Sequence, residues 1–242
     1  MSAALPSNLA NTIISENQND NWVKCPSCGA SVRPWHVKEE QCFVCEDLRR
    51  QARKTELERI EGERALAEAL GGKRALRFTR ESFVVSESNR EAFDAAVNFQ
   101  PREQNLYLCG SCGTGKTHLA CMIARAAIEA GRKAEYLQPG KLLRRIRAAK
   151  SGADEQDEID RLTSLDVLVL DDLGAEKDTE FAIQVLYEVV DGRVMNEKSG
   201  LVVTSNLSLP ELAGKLRDDR LPSRLAGMCR VIQITGKDWR VK

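Results

Sequence analysis

Eight residues, Gly110-Ser111-Cys112-Gly113-Thr114-Gly115-Lys116-Thr117, constrain this chain more than any other segment. The apolar residues 105–109 before them read as a short strand, and residues 116–130 after them as a helix that stops at Gly131. A strand, a glycine-rich turn and a helix N-terminus in that order are the context of a phosphate-binding loop. Glycines let the backbone curl until its N–H groups face phosphate oxygens, and the positive end of the helix adds to the attraction. The pattern assigns residues 110–117 to ATP, with Lys116 on the β- and γ-phosphates and the Thr117 hydroxyl on magnesium. A chance glycine-rich turn would not account for both flanking elements.

The rest of the carboxy-terminal part repeats the alternation. Residues 134–137, 167–170, 201–204 and 231–234 read as strands, and 141–150 and 181–195 as helices. The run Val167-Leu168-Val169-Leu170 is apolar throughout, as in a strand buried on both faces. Strands separated by helices predict parallel βαβ units in a three-layer α/β domain.

Acids follow that buried run. Asp171 and Asp172 fall at the carboxyl end of the strand, where parallel sheets bind their ligands. Asp171 is read as the magnesium-side carboxylate and Asp172 as the base that orients the attacking water. Aspartate reaches less far than glutamate, which predicts slow hydrolysis. Asn206 ends the next strand and is expected to reach the γ-phosphate or the water; an ordinary turn residue is the alternative. Arg224, and after it Arg220, is read as a finger acting on a neighbouring subunit's nucleotide, against the alternative of a surface ion pair.

The amino-terminal part has a different chemistry. Cys25-Pro26-Ser27-Cys28 and Cys42-Phe43-Val44-Cys45 are two Cys-x-x-Cys pairs at the spacing of a four-cysteine zinc site. All four positions would be filled, which makes the zinc structural; a redox pair or core cysteines are the alternatives. His36, between the pairs, is an unneeded replacement ligand. Cys109, Cys112, Cys121 and Cys229 are read as structural. Four segments follow: a disordered polar tail over 1–20, a zinc module over 21–47, a linker helix over 48–72 and an ATPase domain over 73–242. Leu48, Leu57, Ile60 and Leu66 are the linker helix's candidate apolar contacts. Lys plus Arg and Asp plus Glu each total 36, so bulk charge draws no nucleic acid to the chain. No stretch approaches the roughly 20 apolar residues of a membrane span, and the start lacks a signal peptide. A cytoplasmic setting with reduced thiols is expected.

Residues 78–240 resemble the ATPase domain of DnaC/DnaI-type replicative helicase loaders and IstB-type transposition helpers. The resemblance rests on residues 110–117, on Leu168-Val169-Leu170-Asp171-Asp172-Leu173-Gly174, on Thr204-Ser205-Asn206, on Ser223-Arg224-Leu225, and on Gly236-Lys237-Asp238-Trp239-Arg240. It implies an AAA+ fold with sheet order 5-1-4-3-2 and a reduced or missing lid. It also implies ATP held between subunits of an oligomer, binding of single-stranded DNA, and delivery of a replicative ring helicase onto it. A zinc module ahead of the ATPase resembles the DnaI type, which favours a loader, bacterial or phage-encoded, over an IstB-type helper on duplex DNA. An adaptor that uses ATP only as an assembly switch is a third reading. Lys141, Arg144, Arg145 and Arg147 project from one helix opposite Leu142 and Ile146 and are the candidate DNA contacts; a solvated charged face is the alternative.

Overall fold

The computed structural model describes residues 22–33, 37–38, 41–101, 103–149, 151–176, 179–194, 199–236 and 238–239. The expected tail, His36 and Arg240 lie outside them. The chain forms two compact units, residues 1–61 and 62–242.

In the first unit, β1 (Val23–Lys24) pairs antiparallel with β2 (Ser31–Val32), and β3 (Val37–Lys38) with β4 (Gln41–Cys42). The helix α1 (Phe43–Ala69) starts directly after β4, which puts Cys45 in its first turn. The division between the units falls inside α1. Leu48, Leu57 and Ile60 on this helix are exposed, and Leu66 packs into a core of the second unit.

The second unit is built on five parallel strands: β5 (Leu106–Cys109), β6 (Ala134–Leu137), β7 (Val167–Leu173), β8 (Gly200–Ser205) and β9 (Arg230–Gln233). Their order across the sheet is β6-β7-β8-β5-β9. Counted within the domain and read from the β9 edge, that is the expected 5-1-4-3-2. Successive side chains of a strand point to opposite faces, so an all-apolar strand feeds two cores. Leu106 and Leu108 join Val167, Val169 and Val202 under α2 (Arg90–Val97) and α3 (Lys116–Glu129). Tyr107, Leu168, Leu170, Leu201 and Val203 face the other side. That side is covered by α4 (Pro139–Arg147), α5 (Gly152–Ser164), α6 (Glu180–Val194), α7 (Leu209–Leu216) and α8 (Arg220–Met228). The sheet is thus sandwiched in three layers.

Two differences from the expected elements have physical causes. Helix α5 is acid-rich and lacks a strong apolar stripe, with only Ile159 and Leu162 buried; its start is set by Ser151, whose hydroxyl accepts the Asp154 N–H. Strand β7 continues past Leu170 through Asp171 and Asp172 to Leu173, with a register shift against β8 between Leu170 and Leu173. One buried cation is structural: Arg193, 2% exposed, donates to the carbonyls of Leu162, Leu165 and Gly200. Among the described residues, no helix is long and apolar enough to cross a membrane.

Candidate nucleotide site and four-cysteine cluster

The carboxyl ends of β5, β7 and β8 meet where the strand order doubles back, the position at which open parallel sheets hold ligands. Residues 110–115 leave β5 there and turn into α3, whose amino end faces the site. Two glycines in this turn are fixed by close approach. A β-carbon on Gly110 would collide with the Ile234 carbonyl, and one on Gly113 with the Asp238 carboxylate; both residues also have positive φ. The Trp239 N–H donates to the Gly113 carbonyl across 3.2 Å, tying the carboxy-terminal segment to the loop. Lys116, 6% exposed, donates from Nζ to the carbonyls of Gly110 and Ser111, each at 2.7 Å. Its ammonium therefore lies over the loop.

Asp171 is 2% exposed and surrounded by hydroxyls. Thr117 Oγ1 donates to its Oδ1 at 3.0 Å, and Thr204 Oγ1 to Oδ1 at 2.6 Å. The Tyr136 hydroxyl donates to Oδ2. Burial and the neighbouring carboxylate push the Tyr136 phenol well above its ordinary range, so it stays protonated as a donor. Asp172 has φ +67°, a left-handed conformation that aspartate tolerates better than most side chains. Its N–H donates to Thr204 Oγ1 at 2.9 Å, and its Oδ1 accepts from Asn206 Nδ2 at 3.2 Å. The register shift of β7 and this left-handed residue separate two adjacent acids, one buried and one half-buried.

A cavity of about 530 Å³ opens over these groups. Lys116, Thr117, Asp171, Asp172 and Asn206 all line it, as do Tyr136 and Trp239. Neither Arg220 nor Arg224 does. Both line a separate cavity on α8, where Arg224 bridges to Asp191, and Arg220 pairs with Asp218 at 2.7 Å. The basic residues of α4 are mostly engaged within the chain. Arg145 bridges to Glu135 at 2.5 Å, and the Arg147 guanidinium lies 5.1 Å from the Phe181 ring centre. Lys141 Nζ donates to the Gly71 carbonyl at 3.2 Å and lines the nucleotide cavity, while Arg144 is exposed.

In the first unit, the sulfurs of Cys25, Cys28, Cys42 and Cys45 lie within 4.8 Å of one another. Cys25 and Cys45 stand 3.6 Å apart, as do Cys28 and Cys42. The β1–β2 turn, closed by Gly29 N–H to Cys25 O at 2.8 Å, presents the first pair, and the β4–α1 junction presents the second. Burial disfavours ionising Cys25, but the N–H groups of Cys28 and Ser27 outweigh it and bring the thiol down to about 6. Four converging soft donors, three of them buried, can hold a metal ion. Elsewhere, burial pushes Cys121 and Cys229 up to about 12, as fits core thiols. Cys109 is also buried, and Cys112 in the loop is exposed.

Sequence reasoning missed Tyr136, Thr204 and Asp238. Tyr136 carried one signal, a phenol at the carboxyl end of a strand beside the acid-bearing one. Thr204 and Asp238 fall in segments that carry the family resemblance, but only folding shows that Asp238 reaches the loop.

The family model of IstB-like ATP binding proteins matches residues 42–242. The chain is 26% identical over 152 residues to the insertion sequence IS21 putative ATP-binding protein of Pseudomonas aeruginosa, covering 61% of this chain and 57% of that one. It is 25% identical over 142 residues to the replicative helicase loader DnaC of Escherichia coli strain K12, covering 54% and 57%. The chain thus spans little more than half the length of these relatives. The crystal structure of the DnaC helicase loader superposes with a TM-score of 0.59 at 24% identity, over 68% of this chain and all of that one, a likeness of fold. A match over most of the chain, on a parallel sheet with its phosphate loop at the strand ends, places this protein in the IstB/DnaC-like family of ATP-binding AAA+ ATPases.

Proposed function

We propose that this protein hydrolyses ATP to load a replicative ring helicase onto single-stranded DNA in the cytoplasm, acting as an ATP-dependent oligomer. Lys116 and the N–H groups of residues 110–117 hold the phosphates. Thr117 and Asp171 hold magnesium: a hydroxyl and a carboxylate within hydrogen-bond distance are hard oxygen donors of the kind this ion prefers. Bound there, a magnesium ion would supply positive charge against the phosphates of the nucleotide. Asp172 orients the attacking water, and Asn206 steadies its carboxylate. Arg224, with Arg220 as second candidate, serves the neighbouring subunit's nucleotide; its distance from the chain's own cavity supports that reading. Cys25, Cys28, Cys42 and Cys45 hold a structural zinc. Of the basic residues on α4, exposed Arg144 is the foremost DNA contact, with Lys141, Arg145 and Arg147 beside it.

The observation that carries the loader reading is the four-sulfur cluster ahead of the ATPase unit, which resembles the DnaI type of loader. Similarity to the IS21 protein favours a second reading, a transposition helper acting on duplex DNA. Capture of the host's replicative helicase by the full chain, with and without ATP, separates the two. Helicase retained by the parent chain and lost by a Cys42→Ser variant supports the loader. No helicase in any nucleotide state, with ATP-dependent binding of duplex DNA, moves the helper to first place.

A further inference from the structure

Tyr136 sits at the carboxyl end of the edge strand β6, in register with Val169 of β7. Phenylalanine would fill the same buried space, since the ring packs against Gly71 and is 9% exposed. What phenylalanine lacks is the hydroxyl, and a buried hydroxyl costs stability unless it finds a partner. Here its partner is Asp171 Oδ2. A carboxylate offers about four lone-pair positions. Thr204 and Tyr136 take one oxygen each, and Thr117 reaches both, at 3.0 and 3.2 Å.

These three donors are not equivalent. Thr117 is itself a metal-side residue in the reading above. Thr204 is committed twice, since it also accepts the Asp172 N–H. Tyr136 is the donor whose position depends on neither the phosphate loop nor the second acid. It comes from a different strand, and its ring fills the space that a β-carbon on Gly71 would need. Groups in this position fix the orientation of a ligating carboxylate and tune its metal affinity.

We infer that Tyr136 is a positioning residue that holds the Asp171 carboxylate in the orientation needed to take magnesium with ATP. The inference rests on the proposed roles of Thr117 and Asp171. It predicts an effect on metal use that is separable from nucleotide binding as such. Tyr136→Phe keeps the ring and removes only the donor.

The test is the affinity of the full-length chain for a fluorescent ATP analogue, titrated with magnesium and repeated in EDTA. In Tyr136→Phe the magnesium concentration giving half-maximal tightening should rise about ten-fold, the lower end of losses from removing such partners. Affinity in EDTA should stay close to the parent's, while the melting temperature without nucleotide should fall by a few degrees, the cost of one donor lost from a buried carboxylate. An unchanged magnesium midpoint would overturn the inference. An equal loss of affinity with and without magnesium would do so too, since it would mark a structural role. If the parent chain itself shows no magnesium dependence, the assignment of Thr117 and Asp171 fails first and the inference falls with it.

Discussion

The Asp238 carboxylate occupies the space that a β-carbon on Gly113 would need. One glycine thereby serves two purposes. Its φ of +75° shapes the phosphate loop, and its missing side chain admits a residue from the far end of the chain. Gly113→Ala should weaken ATP binding about ten-fold or more, because the left-handed conformation alone costs roughly 1–2 kcal/mol for a residue with a β-carbon. Adding Asp238→Ala should recover part of the loss by relieving the clash. Titration of both variants with a fluorescent nucleotide checks this, and full recovery in the double variant would show that backbone strain contributes nothing.

Lys116 lies over its own loop, bound to the Gly110 and Ser111 carbonyls. A lysine this close to the loop can transfer to phosphate oxygens with little rearrangement. Lys116→Ala should lower hydrolysis by about a hundred-fold, in line with loss of one preorganised electrostatic group. Steady-state phosphate release is the assay, and a variant retaining most of the parent rate would remove Lys116 from the site.

The four sulfurs predict about one zinc per chain in protein purified without chelator, measured by elemental analysis. Thiolates must be deprotonated to bind, so the metal should leave as pH falls. Cys42→Ser should lower the zinc content and loosen the first unit, seen as faster proteolysis before residue 62 with ATP binding intact. Metal-free protein with an unchanged proteolytic pattern would refute the site.

Arg224 bridges to Asp191 and stays outside its own chain's nucleotide cavity. If it acts between subunits, Arg224→Ala should lose hydrolysis under oligomer-forming conditions. Mixing it with inactive Lys116→Ala should then restore activity, because mixed interfaces join an intact Lys116 to an intact Arg224. Absence of any restoration would argue against a role in trans.

His118 follows Thr117 on α3, packs against Phe78 and Phe83, and bonds the Thr79 carbonyl at 2.8 Å. Burial lowers its pKa below the ordinary 6.5, against the opposing effect of that carbonyl. The unfolded chain therefore takes up a proton near pH 6.5 that the folded chain resists, so stability is full above that pH and lost as pH falls below it. The melting temperature should drop between about pH 7.5 and 5.5, and His118→Gln should flatten that drop. Equal slopes in the two proteins would contradict the assignment.

Local information was enough for much of this protein. The strand, glycine turn and helix around Lys116 are legible because their signals sit within a few residues of one another. The same holds for the paired cysteines and for the buried run before Asp171. Apolar runs marked the central strands β5, β7 and β8, since residues buried on both faces must be apolar throughout, while the edge strands β6 and β9 are partly exposed and showed only short apolar stretches. Periodicity did not find α2, α5, α7 or α8: three of these are only eight or nine residues long, and α5 buries only Ile159 and Leu162. Nor can it see a register shift, because β7 reads as one run in sequence while its pairing with β8 slips beyond Leu170.

What the sequence determined by itself is the chemistry available: a phosphate loop, two acids after an apolar strand, four thiols at the spacing of a metal site, and the family these imply. What tertiary structure decided is which groups share a site. Asp171 collects hydroxyls from Tyr136, Thr117 and Thr204, on three separate elements. Asp172 turns from its neighbour toward Asn206, Asp238 reaches Gly113, and most of the basic residues of α4 turn to partners of their own chain. The physical reason is that backbone pattern follows from neighbours in sequence. A side chain's partners follow from strand order and register, which arise only when distant segments pack together.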